Sequence, residues 1–541
     1  MANRERLRLV ALVVMCGFLT SGTASASPRP QVPQEPHDAQ PQARGAAPDG
    51  QVVLDLTACR GEDLQDATFS SPNGHATLRV QPDGDAAGRV SVNERAVPRA
   101  TALLARGRRG SVDVSALVDP GENTVEARLL RGSAYVSVDF TALVDVEPSE
   151  VGIDPESLRG IGAAVESRLG LEATDRYTGA VALVAHQGRV VYERAFGDAQ
   201  THQGTEPLRR PRPTTRTTIF DMASVTKVEA TTAAVMKLVD DGLLDLDARL
   251  RRYLPRFSGE KGDILVRQLL THRSGLWEWQ PTYMHGRNKA QVLGFLADLD
   301  LRYGVGERRR YSDIGFMLLG AIVEKVTGQS LDDYVREHIH RPLGMGDTTY
   351  LPARRIRDRI AATSLGNSYE YTMIDTQSPY PIVGGLDPDG FPDWRRHTLV
   401  GEVNDGNAWY GWQGVAGHAG LFSTARDLAV YAQTMVNGGG YADTELASPE
   451  VVDEFLTEHY DNGQGLGFWT DRLSTIGEPG GFGHSGFTGT EFLFDPAREL
   501  VVVLLTNRLH PDRGPGSITA VWQDVLRHAV RATGQSDRTG S

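Results

Sequence analysis

Residues 220–227 read "FDMASVTK", and the lysine is the unusual residue in this stretch. The chain carries 51 Arg but only 5 Lys: Lys227, Lys237, Lys261, Lys289 and Lys325. Arginine supplies structural positive charge without losing its proton, whereas a buried lysine amine titrates readily. A lysine kept three residues after a serine, in a sequence that otherwise uses arginine, therefore points to proton traffic. An i, i+3 pair shares one face of a helix, so an opening helical turn brings the Lys227 amine to the Ser224 hydroxyl. A serine hydroxyl alone is a weak nucleophile, and a neutral amine beside it accepts its proton as attack begins.

Two further segments extend the pattern. "YSDIGF" at 311–316 sits between "GVGERRR" and "MLLGAIVEKVTGQSLDDYV", which places Tyr311 on a loop entering a helix. "GHSGFTGTEFLF" at 483–494 places His484, Ser485 and Gly486 at the start of a strand. The order S-x-x-K, Y-x-[ND], [KH]-[ST]-G resembles the serine β-lactamase and penicillin-binding-protein superfamily, above all its class C β-lactamase, D-Ala carboxypeptidase and esterase branch. "LLTHRSGL" (269–276), "LLGAIVEKVTG" (318–328), "RPLGMGDT" (341–348) and "LLTNRLHP" (504–511) resemble the same branch, in the same order, over roughly 150–530.

The resemblance implies roles. Ser224 is the nucleophile that forms an acyl-enzyme, and Lys227 and Tyr311 share general-base and general-acid work, a tyrosine beside a cationic amine being easier to deprotonate. The backbone N–H groups of Ser224 and Phe487 form the oxyanion hole. His484, with Ser485 and Gly486, holds the substrate or orients Tyr311, and no metal or organic cofactor is required. Two departures stand out. Asp313 replaces the usual Asn, exchanging an amide that donates and accepts for an acceptor-only carboxylate that contacts substrate or caps the helix. His484 replaces a lysine and removes a fixed charge that would attract a β-lactam carboxylate.

The segment "GEVNDGNAWYGWQGVAGHAGLFSTARDLAVY" (401–431) resembles a block of the sub-branch containing secreted N-acetylmuramyl-L-alanine amidases, with Asn404 where a histidine is expected. Glu402, Asp405 and His418 are candidate substrate-pocket residues, with a loop held by internal hydrogen bonds as the alternative. Trp277, Trp279, Trp409 and Trp412 fall in predicted loops, where indoles either stack on sugar rings or plug the loops onto the core. His338 and His340 have H-x-H spacing but lie in a helix-to-loop passage, which argues against a metal site. "GHSGF" lacks the final glycine of a nucleophile elbow.

Outward from these motifs the chain divides into four parts. Residues 1–26 carry Arg4, Arg6 and Arg8, an apolar run "LVALVVMCGFLT" and a closing "ASA", the pattern of a secretory signal peptide cleaved before Ser27. Cys16 leaves with it, so Cys59 has no intrachain disulfide partner. Residues 27–50 are rich in Pro, Gln and Ala and read as a disordered linker. Residues 51–146 hold short alternating segments between "PNG", "PDGD" and "DPGEN", which predicts an all-β sandwich. Val112 to Leu130 resembles a strand-turn-strand of galactose-binding-like sandwiches; a ligand-free spacer is the alternative.

Residues 147–535 form the fourth part. A helix is predicted over 154–169, a hairpin over 178–197 turning at His186 to Gly188, helices over 225–345, two strands within 490–508 and an amphipathic helix over 517–533. Strands at both ends with helices between them predict one antiparallel sheet built from the two ends of the region, packed by helices and carrying a helical insertion, an α/β (α+β) architecture.

With 541 residues and a net charge of −13, the chain is suited neither to nucleic acid nor to an anionic membrane surface. No apolar stretch after the signal reaches the length of a bilayer span. The expectation is an exported serine hydrolase acting on an amide of a peptidoglycan fragment, the lactyl–L-Ala bond first. D-Ala–D-Ala carboxypeptidase and esterase activity are alternatives using the same residues. A non-catalytic cell-wall binder, with glycan at the sandwich, is the alternative of another class.

Overall fold

The computed structural model describes residues 52–534, apart from 59–62, 72–75, 120, 152, 173–175, 461–462 and 513–515. The signal segment, the linker and Cys59 lie outside the described residues.

The first layer is all-β except for one α-helix and one 3-10 turn, Ser115–Leu117. Strands β1 (Val52–Ala58), β2 (Asp63–Ser71), β3 (Thr77–Val92), β4 (Arg95–Ala96), β5 (Gly110–Asp113) and β6 (Gly121–Asp139) make a single antiparallel sheet. Helix α1 (Pro98–Ala105), not expected from the alternating pattern, packs on β3. The long strand β6 pairs with β2 through its first half and β1 through its second, while β3 runs along its other edge. Its buried positions are 123, 125, 127 and 129, then 134, 136, 138 and 139. The period of two slips by one residue near Gly132, opposite the irregular pairing at Asp83–Ala87 of β3. That shift bends the sheet so that both halves keep their apolar faces toward one core of Leu56, Leu78, Val80, Val125 and Val136.

Beyond β7 (Val144–Asp145), α2 (Pro155–Glu166) starts at an Asp154 cap that accepts from the N–H groups of Glu156 and Ser157. Strands β8 (Gly179–His186) and β9 (Arg189–Gln203) form the hairpin read from the sequence, with Gln187 and Gly188 both at positive φ in the two-residue turn. The seven-stranded sheet runs β10 (Glu206–Pro213), β9, β8, then Leu500–Thr506, Thr490–Asp495 and Phe482–Gly486, with β7 on β9. Its two faces have separate cores. Ala180, Ala182, Val184, Val502 and Leu504 pack against α2 and the C-terminal helix Thr519–Ala532. Val181, Leu183, Val501, Val503 and Phe492 face the helical region.

Two helices at the centre of that region carry the motifs. The helix from Lys227 to Asp240 opens on a π-helical turn and is buried on all sides through Met236, as expected of a helix rich in Ala, Val and Thr. Asp313–Thr327 begins at a Ser312 cap whose hydroxyl accepts from Gly315 N–H and ends at Gly328, φ 70°. Gly320 and Gly417 let the 417–418 loop lie directly on this helix, since a side chain at 417 would meet the Phe316 carbonyl at 2.1 Å. Among the described residues no single helix is long and apolar enough to cross a membrane.

Candidate active site

The stretch read first from the sequence becomes the centre of the site. Ser224 stands in a tight 3-10 turn, Ala223–Val225, immediately before the helix that carries Lys227. Ala223 is held at φ 43°, a strained conformation for a residue with a side chain. Asp221 holds that turn: one carboxylate oxygen accepts Ala223 N–H at 2.8 Å and the other accepts Asn404 N–H at 2.6 Å. Burial pushes the Asp221 carboxyl up to about 6. Gly486 is required for packing, since a Cβ there would lie 2.1 Å from Thr490 Oγ1 and 2.5 Å from the Met222 carbonyl.

Lys227 is completely buried and donates to Ser224 Oγ at 2.9 Å and to the His418 carbonyl at 3.1 Å. Its Nζ also lies 2.6 Å from Asp313 Oδ1. Burial disfavours the ammonium, but Asp313 and then Tyr311 outweigh it and hold the Lys227 pKa above the ordinary lysine value. The Lys227 amine lies 4.9 Å from the centre of the Tyr311 ring; burial pushes the Tyr311 hydroxyl up, and Lys227 does not reverse the shift. This corrects one expectation: Lys227 is not a neutral amine in the free site. Lys227 does favour the ionised Tyr311, as expected, but burial, with Asp313 behind it, leaves the hydroxyl above its ordinary value. Asp313 is neither the helix cap, which is Ser312, nor only a substrate contact.

His484 is also corrected as a substrate-holding residue. It is fully buried, stacked on Trp469 with ring centroids 4.5 Å apart, and its Nδ1 donates to the Ser485 carbonyl at 2.8 Å. Burial and then Lys227 push its pKa well down, so it is neutral, and its ring lies 5.9 Å from that of Tyr311. Tyr311 is packed from the other side by His272, 4.5 Å away, whose Nδ1 accepts Ser312 N–H at 3.0 Å.

The cavity at Ser224 contains about 1010 Å³ of space, part of it open to solvent. Ser224, Tyr311, Asp313, Asp405, His418 and Phe487 all line it. Ser485, Gly486 and Glu402 do not. Glu402 as a pocket residue is a further correction: its carboxylate meets His397 Nε2 at 3.0 Å and lies 3.8 Å from Arg395. Asp405 Oδ1 accepts from His418 Nε2 at 2.9 Å and Ala408 N–H at 2.7 Å. Burial pushes the Asp405 carboxyl up, but His418 outweighs it and leaves the pKa lowered.

The opposite wall was not found from the sequence. Ser364, Asn367, Tyr369, Glu370, Met373 and Tyr380 come from a stretch without a recognisable motif. Glu370 is buried, accepts from Gly406 N–H at 2.6 Å and Tyr283 hydroxyl at 2.9 Å, and is pushed up to about 8 by burial and then by Asp405. Arg395 braces this wall through Asn367 Oδ1 at 3.0 Å and the Asn404 carbonyl at 3.1 Å. The tryptophans mostly plug loops. Trp412 is buried, Trp409 lies under the Arg395 guanidinium and Trp277 under Arg302, leaving Trp279 to line the cavity. His338 and His340 take separate partners, Tyr334 and the Glu229 carbonyl.

With the geometry in place, comparison with known proteins is specific. The family described as Beta-lactamase matches residues 165–526. A protein of Escherichia coli (strain K12) named "Putative D-alanyl-D-alanine carboxypeptidase" is 34% identical over 408 residues, covering 71% of this chain and 89% of the relative. Two solved structures share the fold: "EstCE1, a hydrolase with promiscuous acyltransferase activity" has 23% identity, a TM-score of 0.52 and coverage of 69% of this chain and 98% of its own. "Crystal structure of a class C beta lactamase" has 20% identity, a TM-score of 0.52 and coverage of 69% and 98%. A serine held 2.9 Å from a buried lysine, a tyrosine ring 4.9 Å from that lysine and a match across two thirds of the chain lead to one conclusion: the chain is a serine hydrolase of the beta-lactamase family.

Proposed function

We propose that the chain is exported after loss of residues 1–26 and cleaves an amide of a peptidoglycan fragment, with the lactyl–L-Ala bond as first substrate. Ser224 attacks the carbonyl, the N–H groups of Ser224 and Phe487 receive the oxyanion, and Tyr311 with Lys227 passes the serine proton to the leaving amine. The observation that carries this reading is the charge of the cavity wall. Its lining includes Asp313, Glu370 and Asp405 and no Lys or Arg. Lys227 lies behind the wall and is neutralised by Asp313. A substrate cut beside a terminal carboxylate would find no cation there, whereas an internal amide needs none.

The name of the Escherichia coli relative favours the second reading, release of a terminal D-Ala by the same residues. Digestion of a muramyl-pentapeptide by the mature protein, beside its Ser224→Ala variant, decides between them by mass spectrometry. Free muramic sugar with intact peptide is the expected product. Released D-Ala would transfer the function to carboxypeptidase, and neither product would leave an esterase.

A further inference from the structure

The cavity wall is not simply without cations; it has the features of a cation site. We propose that Asp405 anchors a protonated primary amine of the substrate, so that the enzyme prefers amine-bearing acyl compounds or peptides over their N-acylated or carboxylate-bearing counterparts. This rests on the hydrolase reading for Ser224 but not on which amide is cut.

Three observations converge. Asp405 Oδ1 is committed to His418 and Ala408, while Oδ2 has no hydrogen bond, and the side chain stays 20% exposed at the cavity. His418 is 1% exposed, lines the same cavity, and its Nδ1 has no hydrogen-bond partner, so this buried ring is left with an uncommitted polar atom beside Asp405. Around Asp405 and His418 the cavity is walled by Trp279, Tyr369, Tyr380 and Phe487. Aromatic faces beside a carboxylate attract an ammonium and offer nothing to an anion. Tyr369 and Phe487 are stacked at 5.1 Å, so this wall is packed before substrate arrives.

The site is also close to the chemistry. The residue whose Nε2 meets Asp405 gives its carbonyl to Lys227, which in turn touches Ser224 Oγ. An amine on Asp405 would therefore fix the substrate near its reacting carbonyl. Glu370, held neutral by burial and by Asp405, stands behind as a second carboxyl that an arriving ammonium would favour in its ionised form.

The test uses the full chain carrying Ser224→Ala, which binds without acylation. Calorimetric titration compares D-alaninamide, Nα-acetyl-D-lysinamide and N-acetyl-D-alaninamide. At least one amine should bind about tenfold more tightly than the acetylated amide, and the arm that does so shows whether an α-amine or a side-chain amine is taken. Adding Asp405→Asn should bring the ratio to about one. Equal binding of all three probes, or tighter binding of the acetylated amide, would overturn the proposal. If the Asp405 variant does not fold, rising salt must erode the preference in the Ser224→Ala chain; a salt-independent preference would equally reject a charge contact. Covalent labelling of Ser224 in the unmodified chain reports separately on the hydrolase reading.

Discussion

Asp313 Oδ1 lies 2.6 Å from Lys227 Nζ, closer than the nucleophile Ser224 Oγ at 2.9 Å, so the lysine that would relay the serine proton is held by a carboxylate before substrate binds. That carboxylate raises both Lys227 and Tyr311. Asp313→Asn removes the charge but keeps the shape, so both groups should lose their protons more easily and the acid limb of kcat/KM should move down by about one pH unit or more. An acid limb that stays in place would mean that Asp313 does not set the protonation state of the site.

Lys227→Arg separates charge from proton traffic. Arginine can retain the pair with Asp313 but does not release its proton, so acylation should fall by about 100-fold or more while the chain stays folded. Stopped-flow labelling with a fluorophosphonate measures it; near-normal labelling would assign the base role to Tyr311 alone. In the same assay Ser224→Ala should take no label.

Gly486→Ala places a Cβ 2.5 Å from the Met222 carbonyl, against the strained turn that carries Ser224. The strand or the turn must yield, at a cost of about 1–3 kcal/mol in stability. Activity should fall further than stability, because the displaced turn holds the nucleophile. Thermal unfolding and labelling rate, measured together, check this, and a variant with lower stability but an unchanged labelling rate would refute it.

Glu229 offers a pH test away from the catalytic cavity. Burial pushes it up to about 8, while Ser423 Oγ donates to it at 2.9 Å. Between the ordinary carboxylate range and about pH 8 the unfolded chain has released this proton and the folded chain retains it, so stability falls through that window as pH rises and levels off above it. Glu229→Gln removes the penalty. Its gain in Tm over the parent should be larger at about pH 8 than at about pH 5, and equal differences would show that Glu229 is ionised in the fold.

Much of the catalytic architecture was legible because it is written at short range. Period-two alternation placed β8, β9 and the strands within 490–506, and the three motifs named Ser224, Lys227 and Tyr311 because their elements carry strong local signals. Asp221 was in the opening stretch and passed unread. Its part in holding the nucleophile turn depends on Asn404, which is distant in sequence. Tyr369, Glu370 and Tyr380 had no periodic or motif signal, being brought to the cavity by an irregular stretch braced by Arg395.

The sequence by itself determined which residues could do chemistry and in what order the elements carry them, since spacing decides what shares a helical turn or a strand face. Only the tertiary structure decided how those residues are charged. Lys227 retains its proton because a carboxylate from another helix meets its fully buried amine. His484 is neutral because it is buried against Trp469, and Asp405 keeps an open oxygen in a cavity without a cation. Burial and through-space distance set these states, and neither is a property of sequence spacing.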